Sequence, residues 1–141
     1  MDEVIKNLIK KISDSVINDE FIDIAEEVIE EIEQRPDRYD AIEPIFKLME
    51  NNPEVDFGKP GPLVHFLEKF YQNGYEEKLV ESLHRRPIKH TIWMLNRIIN
   101  GSDGDKRKYF LNLLEKIIVS PNLDDSIVLL ARHFRSLHFD S

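Results

Sequence analysis

Apolar residues recur at spacings of three and four along almost the whole chain, and that pattern restricts it to helices. Val4, Ile5, Leu8, Ile9 and Ile12 mark a first helix over roughly residues 2–17. A second follows from a cap at Asn18 or Asp19 to about Arg35, where Pro36 ends it. Asp37 is a candidate cap for a third, with Ile42, Ile45, Phe46 and Met49 inside; Pro44 means that this helix begins near it or bends there. Pro62 suits the first turn of a helix with Leu63, Phe66, Leu67 and Phe70, stopped by Asn73-Gly74. Leu79, Val80 and Leu83 mark a fifth, ending at Arg86-Pro87, and Ile88 to Ile99 a sixth. Tyr109, Phe110, Leu113, Leu114, Ile117 and Ile118 lie in a seventh; Leu123, Ile127, Leu130 and Phe134 mark the last. No stretch alternates as a strand does. The expected fold is all-α: about eight helices in antiparallel hairpins, arranged as a HEAT-like stack or a compact irregular bundle.

With 141 residues the chain reads as one helical domain, 1–141. It has no cysteine, which excludes disulfides and thiolate zinc sites and suits a reducing cytosol. Met1-Asp2-Glu3 lacks the basic start and apolar run of a secretion signal, and no apolar stretch approaches the roughly 20 residues that span a membrane. The expected location is the cytoplasm.

Charge divides the chain unevenly. Residues 1–57 hold 17 acids and 6 bases, a net of −11; residues 58–141 hold 10 acids and 13 bases, a net of +3. The acidic part repels phosphate backbones, so nucleic acid is not its expected partner. It attracts cationic proteins instead. The second helix concentrates this charge. Phe21, Ile24, Val28 and Ile32 fall on one arc, and Asp23, Glu26, Glu27, Glu30, Glu31 and Glu33 spread over the other side. Such a helix docks through one face and presents carboxylates on the other, as an interaction surface or as a merely solvated one.

Residues 51–61 form the longest irregular stretch, a candidate hinge or binding loop. In the sixth helix Ile88, Ile92, Leu95 and Ile99 make one stripe, with Met94 and Ile98 on its flank. Trp93 points away from them, and Arg97, one turn on, is placed to lie over the indole. The pair suits a covered core residue or an interface anchor.

No reaction chemistry assembles from the remaining residues. His84 and His90, or His133 and His138, lack the four-residue spacing that sets two imidazoles on one helix face. His65 is expected to be a partly buried helix residue, with Glu68 placed to orient it. Gly101-Ser102-Asp103-Gly104-Asp105-Lys106 has neither phosphate-loop nor calcium-loop spacing and reads as a helix-joining turn. Lys106-Arg107-Lys108 opens the seventh helix against its dipole, which suits a solvated face or a pairing with acids elsewhere in the fold or on a partner. No catalytic residue, cofactor or metal is expected.

The blocks Gly58-Lys59-Pro60-Gly61-Pro62-Leu63-Val64-His65-Phe66-Leu67-Glu68 and Ser82-Leu83-His84-Arg85-Arg86-Pro87-Ile88-Lys89-His90-Thr91-Ile92-Trp93-Met94-Leu95-Asn96-Arg97 resemble helical immunity proteins of bacterial polymorphic-toxin systems, including contact-dependent growth inhibition. The resemblance spans about residues 55–100 and implies a protein that binds and neutralises a toxin domain, often a basic nuclease. The charge pattern nominates Glu26, Glu27, Glu30, Glu33, Asp37, Asp40 and Asp56 as the partner-binding surface. A HEAT-like adaptor for a cellular protein or peptide is the alternative.

Overall fold

The computed structural model describes residues 3–58 and 60–139, so Asp2, the first residue of the expected first helix, and Lys59 lie outside the described residues. Eight α-helices and one 3-10 helix account for the regular structure, and no strand occurs among the described residues. The fold is all-α. The helices are α1 (Glu3–Asp14), α2 (Phe21–Glu33), α3 (Ile42–Asn51), α4 (Gly61–Glu68), α5 (Tyr75–Arg85), α6 (Lys89–Asn100), α7 (Gly104–Ile118) and α8 (Asp125–Phe139), with the 3-10 turn at Arg38–Ala41. No helix among the described residues is long and apolar enough to cross a membrane. The chain divides into two compact units, residues 1–82 and 83–141.

In the first unit α1 packs on α2, the 3-10 turn and α3, while α2 also packs on α4. The helix boundaries follow from local hydrogen bonding. Ser15 closes α1 early: its N–H and its hydroxyl both donate to the Ile12 carbonyl. Asn18 does not cap α2 directly. Its side-chain oxygen accepts from the Glu20 N–H at 2.8 Å, an Asx-type turn that delivers the chain to Phe21. Asp37 precedes the 3-10 turn but makes no capping bond, because its carboxylate turns back to Arg35. Pro44 sits at the third residue of α3, where its missing N–H costs nothing.

The irregular segment after α3 is anchored by Phe57. Phe57 is fully buried, and its ring meets Phe21 edge-on with centroids 5.8 Å apart. After α4 the chain unwinds through Lys69–Asn73 in successive turns, with Gln72 at φ 67° and Gly74 at φ 106°. The backbone angle at Gly74 favours glycine, and a Cβ there would lie 2.4 Å from the Tyr39 hydroxyl, so the Tyr39 ring would have to shift. Phe46 stacks on Tyr75, and both are buried.

In the second unit α6, α7 and α8 each pack on the other two, making a three-helix bundle. The α6 stripe Ile88, Ile92, Leu95 and Ile99 is at most 1% exposed, and Met94 and Ile98 are buried beside it. At the start of α6 the Ile88 N–H donates to the Thr91 hydroxyl at 3.0 Å. Asp124 caps α8: its carboxylate accepts from the Ser126 N–H and the Ser126 hydroxyl, both at 3.0 Å, which holds its pKa below the usual carboxylate value.

Candidate functional site

The surface that the charge pattern nominates is built on α2. Phe21, Ala25, Val28, Ile29 and Ile32 are buried, a wider arc than the four positions expected, with Ile24 on its edge. That anchorage turns Asp23, Glu26, Glu27, Glu30 and Glu31 outward, and all five are exposed. None of the five forms an ion pair among the described residues. Asp23 and Glu27, Glu26 and Glu30, and Glu27 and Glu31 are each four residues apart, so like charges face each other along the helix. The last turn of α2 carries no base, leaving Glu30 and Glu31 against the negative end of the dipole. The helix therefore holds several charge conflicts that a cation would relieve.

The seven nominated residues fall in distinct settings. Glu26, Glu30 and Glu33 share one wall of a groove of about 410 Å³, which Ile29 floors and Gly61, Pro62 and His65 of α4 close. Glu33 there is already engaged, since Lys69 forms an ion pair with it. Glu27 lies exposed on the other flank of α2. Asp37 is half-buried and receives two bonds from Arg35, at 2.8 and 3.2 Å; that hydrogen bonding lowers its pKa below the ordinary carboxylate value. Asp40 lines a different groove, between α1 and α3. Asp56 accepts from the Gly58 N–H at 2.8 Å and lines a third groove, with Asp19, Ile22 and Val55. Glu26, Glu27 and Glu30 thus keep their charge available, while Glu33 and Asp37 serve internal contacts.

His65 corrects its expectation. It is exposed, because α4 buries Leu63, Val64, Phe66 and Leu67 and leaves position 65 outside. It joins the carboxylate groove as the one titratable group contributed by α4. Reading the residues in order does not find this, since the packing of α2 on α4 joins positions more than thirty residues apart.

The second unit settles two other expectations. Trp93 is half-buried, with the Arg97 guanidinium carbon 5.0 Å from its ring centroid and His90 edge-on at 6.0 Å. Arg97 covers the indole as the spacing predicts. Arg107, from the basic triplet, meets no carboxylate among the described residues. It donates to the Ile99 carbonyl at 2.9 Å, in the last turn of α6, and lies 3.1 Å from His138 Nδ1. A cation that opposes one helix dipole here complements another. Asn96 Oδ1 is 2.6 Å from the other ring nitrogen of His138. Burial, and then the Arg107 charge, lower the His138 pKa.

Among the described residues no three His, Asp or Glu side chains converge as a metal site requires. No protein-family model matches the chain, and neither a curated protein nor a solved structure does.

Proposed function

We propose that this chain is a helical immunity protein, which binds a basic toxin domain and blocks its active site or substrate surface without chemistry of its own. The observation that carries the reading is the outer face of α2: Glu26, Glu27 and Glu30 are exposed, mutually repelling and without an ion-pair partner among the described residues. Lys or Arg side chains of a partner would relieve that repulsion on docking and gain charge-assisted hydrogen bonds. The first unit as a whole carries 21 acids and 9 bases, a net of −12, so a basic partner is steered toward it. The groove beside Glu26 and Glu30 adds an apolar floor at Ile29 and Pro62 on which the stem of a long cationic side chain can lie. A basic nuclease fits this chemistry, since its own substrate is a polyanion that the acidic face would displace.

The test is survival. Co-expression of the chain with candidate toxin domains is expected to protect cells against one basic toxin. Charge reversal at Glu26, Glu27 and Glu30 together is expected to abolish that protection while the protein stays folded. Protection that persists undiminished in the triple variant removes the α2 face from the account.

A further inference from the structure

The first unit, for all its negative charge, gathers four of its nine bases on one groove. Lys6 and Lys10 stand one turn apart on α1, Lys47 faces them from α3, and Lys78 reaches in from α5. The groove encloses about 700 Å³, within the range of sites that hold a ligand or a peptide side chain. Ile9 and the buried Leu48 form an apolar floor between the lysines.

Lys78 is 3.5 Å from Glu81. Lys6, Lys10 and Lys47 are exposed, and none of the three forms an ion pair among the described residues. Lys6 and Lys10 are like charges at a spacing that disfavours the isolated helix. Two acids, Asp40 and Glu43, lie along the same rim, and α1 carries Glu3 before Lys6 and Asp14 after Lys10. The positive patch is therefore short and bounded by negative charge.

From this we infer a second docking site, specific for an acidic peptide segment of a protein partner, with carboxylates on Lys6, Lys10 and Lys47 and an apolar side chain on Ile9 and Leu48. The occupant follows from charge and extent. A nucleic-acid strand carries phosphates beyond a patch of this length, onto the flanking acids of a unit with net −12. A peptide can alternate acidic and apolar side chains over the few residues that the groove holds. The site is separate from the α2 carboxylate face and takes the opposite charge.

The probe is a short fluorescein-labelled peptide of Glu-Leu-Glu triplets joined by glycine, followed by anisotropy with the full chain. Saturable binding is expected, weakening with salt. It should fall about tenfold or more in the Lys6→Glu, Lys10→Glu, Lys47→Glu triple variant. Lys11→Glu, on the same helix but outside the groove, is expected to leave the affinity unchanged. Reversal of Glu26, Glu27 and Glu30 is expected to leave it intact or raise it, so the outcome is independent of the toxin reading. The inference is overturned by the absence of saturable binding, by equal binding to the groove triple variant, or by occupancy of the groove by pyrophosphate or an oligonucleotide in preference to the peptide.

Discussion

Ser82 donates its hydroxyl hydrogen to the Glu50 carboxylate at 2.7 Å, and both residues are buried. The bond ties α3 to α5 within the first unit. A carboxylate taken out of water has to be held by donors, and this hydroxyl is one of them. Ser82→Ala is expected to lower stability by about 1–3 kcal/mol, the usual cost of weakening the support of a buried polar group. Urea unfolding of the two proteins measures it, and Ser82→Thr should retain part of the bond.

Gly74 is expected to resist replacement. Gly74→Ala combines a backbone at φ 106° with a Cβ that would press on Tyr39, so a loss of about 2 kcal/mol or more is expected. In Tyr39→Ala the steric part of that loss disappears, and the strain at φ 106° remains. A double-mutant cycle in urea separates the two, with an interaction energy near zero contradicting the packing observed.

Stability is expected to fall in mild acid because of His138. Its native pKa is lowered, so below about pH 6.5 the unfolded chain takes up a proton that the native ring resists. The contribution is complete above that pH, is lost as pH falls toward the lowered native value, and then levels off. With one ring nitrogen facing Arg107, protonation sets two donors against each other. His138→Gln should flatten this part of the stability–pH profile. Asn96→Asp should oppose it, because a carboxylate beside the ring favours the imidazolium.

Helix number and type were legible because nonpolar periodicity is local, and the buried stripe of α6 followed from it residue by residue. The short length of α4 was not, since its end depends on the turn chemistry of Gln72 and Gly74 against Tyr39. Nor was the role of Phe57 in the irregular segment, whose partner Phe21 lies in α2. Arg107 shows the same limit: its charge opposes the start of α7, and only the packing of α6 beside it supplies the carbonyl that the charge complements. The outward carboxylates of α2 could be read directly. The groove that sets Glu26 and Glu30 beside Pro62 and His65 could not, because packing alone brings α4 there.

Lys69 offers a graded test of the acidic face. It neutralises Glu33 at the end of the carboxylate groove, so Lys69→Ala frees one more acid there. If the partner is the basic toxin proposed, faster association is expected, with a steeper salt dependence and little change in stability, as surface ion pairs contribute only about 0–1 kcal/mol. Stopped-flow mixing at two salt concentrations would show it.

If the chain is the immunity protein proposed, the most direct measurement is its affinity for a toxin domain that co-expression shows it to neutralise, at low and high salt, before and after Glu26→Lys, Glu27→Lys and Glu30→Lys are combined. Binding by the acidic α2 face predicts a loss of about a hundredfold or more at low salt and a flattened salt dependence in the variant, in line with about 2–5 kcal/mol for losing a buried charge pair. An unchanged Kd with an unchanged salt slope would contradict it.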